Sequence, residues 1–358
     1  MFQLFSYFSF LLFCFLFLSR PSFPARTTPD TTTVLTANTL NATWQEFSRF
    51  LDVGIGTQAS GMSELKRYFH RFGYLSLSAT DNLTDVFDTQ LQSAVIAYQT
   101  NLGLPVTGKL DSDTMSLIMS PRCGVTDATG ATTKALHVTK HFTYFYGKPR
   151  WVRGSPMRLT YAFSPDNMID YISNAEMGEV FKRAFSRWAE VIPVNFTQGE
   201  EYENADIKIG FYHGDHGDGQ PFDGVLGVLG HGFSPENGRL HLDAAETWTV
   251  DFAAVKSRVA VDLESVATHE IGHVLGLGHS VVQEAVMFPS LNPRTKKVEL
   301  KVDDVEGVQA LYGSNPNFKL SSLEESENSS NEAVGLNLRS PISKWTVGVL
   351  VVALVLCT

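Results

Sequence analysis

The chain has 358 residues, 43% of them hydrophobic, a size and composition that fit two or three folded units and exclude disorder throughout. Its formal net charge is −10, from 28 Lys and Arg against 38 Asp and Glu, with no long basic run. Nothing in it is built to neutralise nucleic-acid phosphates, so a nucleic-acid partner is excluded. Three cysteines cannot make a disulfide framework, and with Cys14 and Cys357 in apolar terminal segments Cys123 stands alone.

Met1 to Ser19 is uncharged with seven Phe, and residues 1–22 read as a secretory signal; the missing basic n-region leaves a signal anchor as the alternative. Sequons at Asn41, Asn82, Asn195 and Asn328 are compatible with secretion and glycosylation. Over 40–125 the apolar residues fall at helical spacing, most clearly Phe87, Leu91, Ala94, Val95 and Tyr98, which predicts a small all-α unit. Leu104 to Leu110 reads as a loop turning at Gly108 into a last helix begun near Asp111 or Ser112. Residues 126–150 begin rich in Thr, Ala and Gly and read as an exposed, cleavable linker. From 151 to 315 the two periods mix: Met157–Phe163 and 205–211 alternate like strands, while 175–191, 262–275 and a last helix through Val305, Val308 and Leu311, capped by Gly313, have helical spacing. This predicts an α+β domain with a twisted mixed sheet. The tail 316–343 is polar, and the closing segment 344–358 includes an uncharged run of 14 residues from Trp345, short of the about 20 that span a bilayer. Small residues around Asn331, a spacer and a short apolar end match a signal for lipid (GPI) attachment at Asn331, which would hold the protein on the outer leaflet of the plasma membrane; a short tail anchor is the alternative.

The chemistry is concentrated on the helix that begins at Asp262. His269 and His273 are spaced i, i+4 and share a face, so both imidazoles can reach one metal ion. Glu270 lies between them, and Gly276 can turn the chain left-handed so that His279 returns as a third ligand. The string H-E-x-x-H-x-x-G-x-x-H is the metzincin signature, completed by Met287 as the Met-turn. Three imidazoles leave zinc an open position, where the pKa of a water falls toward about 7 and Glu270 serves as general base.

Around Cys123 the segment Pro121-Arg-Cys-Gly-Val-Thr-Asp127 resembles the cysteine-switch segment of matrix metalloproteinase propeptides, and the Ser280 after His279 resembles the matrixin branch of the metzincins. The resemblance covers roughly 45–315 and points most closely to the plant matrix metalloproteinases. It implies a zincin-like catalytic domain behind an all-α propeptide, and a secreted zinc endopeptidase, made as a zymogen, that cleaves extracellular proteins. Cys123 would occupy the fourth zinc position in the zymogen, with Arg122 paired to Asp127. A soft thiolate on zinc also gives an unpaired cysteine in an oxidising compartment a reason to exist; a free surface thiol is the alternative. The resemblance further implies a second, structural zinc on His216, Asp218, His231 and His241, and a calcium on Asp223, Asp243 and Glu246 with backbone carbonyls near Gly224, Leu226 and Val228. Asp206 matches a carboxylate of a further calcium site, although the loop from His231 to His241 is shorter than the family's.

The strand 228–233 is expected at the sheet edge, where a peptide substrate adds as an extra strand. Beside it a specificity pocket is walled by Pro289, Ser290 and Leu291, and the small Ser265 is expected to leave it deep enough for Leu. Activating cleavage, by an unidentified protease or by the enzyme itself, is expected near 140–144, the new amino terminus pairing with Asp303 or Asp304. Too little chain follows Gly313 for a haemopexin-like propeller. Because Leu104 to Leu110 also resembles peptidoglycan-binding modules, a zinc protein that binds wall polysaccharide without protease activity is the competing expectation.

Overall fold

A computed structural model of the chain describes residues 44–77, 83–127, 141–319 and 323. The two terminal signals, the sequons at Asn41, Asn82 and Asn328 and the attachment site at Asn331 lie outside the described residues. No helix among those described is long and apolar enough to cross a membrane.

The N-terminal part consists of a 3-10 helix, Gln45–Phe50, and three α-helices, α1 (Met62–Arg71), α2 (Thr89–Asn101) and α3 (Ser112–Ile118). Helix α2 starts where Asp88 accepts the Leu91 amide, and α3 where Asp111 accepts that of Thr114, side-chain caps that satisfy otherwise orphaned first-turn donors. Leu91, Ala94, Val95 and Tyr98 point inward with Phe87 just ahead of the helix, into an aromatic-rich core of Trp44, Phe50, Tyr68, Phe69 and Phe72. That core also takes in Phe222, Val228 and Phe288 from the second part of the chain, so the helical unit is packed onto its neighbour.

The second part is built on a six-stranded sheet in the order β1-β6-β7-β5-β3-β4, comprising β1 (Arg122–Cys123), β3 (Met157–Phe163), β4 (Val194–Gln198), β5 (Ile207–Tyr212), β6 (Val228–Gly232) and β7 (Arg239–Asp243). All neighbours run parallel except β6 and β7, which makes the sheet mixed, as expected. Two helices, α4 (Asn174–Val191) and α5 (Leu263–Val274), pack together, and α6 (Val302–Tyr312) closes the domain against β10 (Leu277–Ser280) and β2 (Phe142–Tyr144). A short parallel pair, β8 (Thr247–Thr249) and β9 (Ala260–Asp262), leads into α5. Helix α4 opens on a capping box of Ser173 and Glu176 and buries Met177, Val180, Phe181, Ala184, Phe185, Trp188 and Val191, a stripe repeating every three or four residues.

Two features depart from the sequence reading. The stretch 142–144, expected to be linker, is strand β2 paired with β10; Phe142 is buried and the Tyr144 hydroxyl donates to the Gly307 carbonyl at 2.9 Å. Strand β6 is not an edge, because β1 from the helical part lies alongside it in parallel. The run 121–124 is bonded on both sides: Arg122 and Gly124 donate to the carbonyls of Gly227 and Gly230, Cys123 donates to Pro289, and Leu291 donates to Pro121.

Candidate metal centre and active site

Helix α5 is unusual in being buried at all twelve positions, so its polar side chains must each find a partner. Asp262 caps it by accepting the Ser265 amide at 2.8 Å. Glu264 in the first turn meets Arg183, Arg187 and Lys296. The chain leaves the helix through Gly276, whose φ is +106° and where a Cβ would overlap the Pro149 carbonyl. That turn brings His279 back on β10.

The Nε2 atoms of His269 and His273 stand 3.1 Å apart, those of His273 and His279 3.2 Å, and Cys123 Sγ lies 3.3 Å from His273 Nε2. These separations approach the ~3.3 Å edge of a tetrahedron with ~2.0 Å zinc–nitrogen bonds, and the four donors form one cluster. The residues therefore fit zinc. Each ring is oriented by its other nitrogen: His269 Nδ1 meets the Val286 carbonyl at 2.7 Å, His273 Nδ1 that of Leu277 at 2.8 Å, and His279 Nδ1 the Asp127 carboxylate at 2.7 Å. Burial lowers all three imidazole pKa values, keeping the rings neutral as ligands must be. Burial pushes Glu270 up to about 8; its Oε2 lies 3.5 Å from Cys123 Sγ and its Oε1 has no hydrogen-bond partner. Burial and Glu270 also raise the Cys123 thiol well above its ordinary value, so a thiolate there requires a cation opposite it.

Arg122 is fully buried, with its guanidinium 3.7 Å from the centre of the Phe72 ring and 2.5 Å from Asp127. Burial alone would raise Asp127, but Arg122 and His279 outweigh it and hold the carboxyl well below its usual range. Met287 is buried, with its sulfur against Gly272 of α5. The turn carrying Met287 is anchored by Asp304, which accepts the amides of Val286 and Met287, both at 2.9 Å, and of Lys301 at 2.8 Å. Asp304 is thus fully engaged in the interior and not placed to receive a new amino terminus. Asp303 accepts the Ser280 hydroxyl at 2.6 Å and the His141 amide, at the point where the described chain resumes.

The second donor set gathers on one oxygen. Asp218 Oδ2 lies 2.8 Å from His216 Nε2, 2.7 Å from His231 Nε2 and 2.9 Å from His241 Nδ1. Burial lowers His231 to about 3 and His241 to about 4 against the pull of Asp218. Four protein donors of this kind fit a closed zinc site. Among the described residues these two sets are the clusters tight enough to hold a metal; Asp223, Asp243 and Glu246 form no such cluster. Around these carboxylates the amides of Val228, Gly224 and Leu226 donate to Asp223, Asp243 and Glu246 at 2.7, 3.2 and 2.7 Å. Arg71 of α1 adds an ion pair to Asp223 at 3.2 Å, a contact that the sequence, 152 residues apart, gave no means of seeing. Asp206 serves as a structural tie, accepting Arg153 at 3.1 Å and the Thr160 amide and hydroxyl at 2.8 and 3.0 Å. Asn195 lies exposed on β4.

Beside the histidines is a pocket of about 20 Å³ lined by Leu229, Ser265, Val266, Val286, Leu291 and Lys297, among others, room for about one water. The Ser265 hydroxyl on its wall donates to Asp262 at 2.6 Å and accepts the Lys297 amide at 2.7 Å. Lys297, absent from the sequence reading, donates its ammonium to the Gln283 and Ala285 carbonyls at 2.8 and 3.3 Å.

Residues 150–313 match the Matrixin peptidase family, and residues 58–118 match the family described as putative peptidoglycan binding domain; the second match is confined to the helical unit. The chain is 56% identical to metalloendoproteinase 1-MMP of Arabidopsis thaliana over 89% of its own length and 87% of that protein's. It is 58% identical to metalloendoproteinase 4-MMP of the same plant over 77% and 80%, and 40% identical to human neutrophil collagenase over 67% of this chain and 47% of that one. Identity at this level across most of both chains settles descent: the chain belongs to the matrix metalloproteinases of plant type, and is a metalloendopeptidase.

Proposed function

We propose that the chain is made as a secreted, latent zinc endopeptidase whose helical N-terminal part is an inhibitory propeptide, that Glu270 is its general base, and that its substrates are extracellular proteins. The observation carrying this reading is the run 121–124, bonded as a strand on both sides of the cleft, with Cys123 Sγ among the three histidines. A substrate peptide uses the same two rows of backbone groups once this run departs. Zinc on His269, His273 and His279 supplies Lewis acidity toward a carbonyl and makes water acidic near neutrality. Glu270 Oε1, partnerless in the latent form, takes the proton and returns it to the leaving amine. Leu229, Val266 and Leu291 line the pocket beside the histidines and favour an apolar side chain after the scissile bond.

His216, Asp218, His231 and His241 hold a structural zinc on this reading. Burial raises the carboxyls of Asp243 and Glu246, with Asp223 adding to the first and Asp243 to the second, and the unpartnered Glu246 Oε2 supports a calcium there once Arg71 leaves. Asp303, beside the His141 amide, is the partner for an amino terminus made by cleavage before Phe142. Lipid attachment at Asn331 would keep the enzyme at the cell surface.

A quenched peptide with Leu after the scissile bond tests the core of this proposal. Full-length wild type should be nearly inert and Cys123→Ser active. Adding Glu270→Ala to Cys123→Ser should reduce hydrolysis by about 10²–10⁴-fold, and a zinc chelator should abolish it. Full activity of the uncut wild type would sink the latency, and indifference to Glu270→Ala would sink the base.

A further inference from the structure

We infer that the propeptide completes the metal centre as well as blocking it: Asp127 is the outer partner that orients His279, so the centre holds its zinc more tightly with the propeptide in place. The inference rests on reading the three histidines as zinc ligands. Their Nε2 atoms converge, so each Nδ1 faces outward and, in a neutral imidazole ligating through Nε2, carries the proton. His269 and His273 donate to carbonyls of Val286 and Leu277, which stay with the catalytic domain. His279 alone crosses to the propeptide, donating at 2.7 Å to Asp127 Oδ1.

Asp127 is built for this position. Its side chain is 3% exposed, its Oδ2 accepts the Tyr74 hydroxyl at 2.6 Å, and its amide donates to the Phe72 carbonyl at 3.2 Å. Arg122 shares Oδ1 with His279. A carboxylate is a stronger acceptor than a carbonyl and makes the imidazole a better ligand. When the propeptide departs, His279 loses that partner while the other two histidines keep theirs. Activation therefore weakens one zinc bond in addition to opening the fourth position.

The test uses the full-length chain loaded with zinc, comparing wild type, Asp127→Asn and Arg122→Gln by transfer of zinc to a chelating dye and by NMR of ¹⁵N-labelled histidine. Wild type should show a His279 Nδ1–H signal protected from exchange. Asp127→Asn should speed zinc loss about 10–100-fold, the usual cost of removing an outer-shell partner. Arg122→Gln, which loosens the segment but leaves the carboxylate, should keep the signal and change the rate far less. Equal effects of the two substitutions, or no effect of Asp127→Asn, would overturn the inference. Should Asp127→Asn fail to fold, absence of the protected signal from wild type would overturn it, and its presence with loss on propeptide removal would support it. A wild-type chain that took up no zinc would refute the reading of the three histidines itself.

Discussion

Lys297 is a cation placed where burial opposes its charge. Its pKa falls to about 8, because burial outweighs the favourable fields of Asp304 and Glu284. Between about 8 and the ordinary lysine value near 10.4 the unfolded chain binds the proton that the folded chain has shed, so stability rises with pH across that window. Below the window both states are charged and the slope vanishes. In thermal unfolding of the inactive Glu270→Ala protein from pH 7 to about 10.5, the buried Cys123 thiol contributes a fall of opposite sign, so the Lys297 term is read as the difference on adding Lys297→Met, which should lower the slope of stability against pH. An unchanged slope in the double variant would assign the rise to other groups. Nothing local in the sequence singled out Lys297; its environment is made by Phe288, 5.1 Å from its ammonium, and by two loop carbonyls. His269, Glu270, His273 and His279 could be read directly, because a helical period and one glycine turn bring them together without help from distant chain.

At the scale of elements, the same contrast separates long helices from short strands. Helices α4, α5 and α6 were legible because each has residues at helical spacing and a local start or stop signal: a capping box for α4, Asp262 for α5 and Gly313 for α6. Strand β1 has two residues and β2 three, too few for a period, and they exist because β6 and β10 offer open rows of backbone groups. Helix α5 has a further requirement hidden inside its signature. A Cβ at Gly272 would overlap Met287 Sδ and come within 3.0 Å of Trp188, so the Met-turn can pack under the helix only against a bare backbone. Gly272→Ala should therefore destabilise the fold by about 1–3 kcal/mol as overpacking, more than the ~1 kcal/mol an alanine contributes in a helix. Gly154→Ala, where a Cβ meets nothing within 4 Å, serves as the control. A melting temperature raised in Gly272→Ala would show that Met287 swings aside at no cost.

At the scale of the whole molecule, and with the helical part read as the proposed propeptide, latency rests on contacts that do not depend on continuity of the chain between Asp127 and His141. Phe222, Val228 and Phe288 belong to the same buried cluster as the propeptide aromatics. Arg71 bonds the Pro221 carbonyl at 2.7 Å as well as Asp223, and the run 121–124 is bonded on both sides. Cutting the chain between 128 and 140 removes none of these; it changes only the effective concentration of the propeptide, which a short tether holds near the millimolar range. Cleavage alone should then leave an inactive complex, and activity should follow dissociation. With a site for a specific protease placed in 128–140, the cut protein should elute as one species at micromolar concentration, and dilution should release activity after a lag. Arg71→Ala, which removes an ion pair across the interface while leaving the catalytic residues untouched, should shorten that lag. Full activity at the moment of cutting, with two species on the column, would mean that the tether and not the packed interface enforces latency. On the proposed reading, that order would give two separable controls over one enzyme, since a cut in 128–140 would arm the complex and local concentration would decide when the cleft opens.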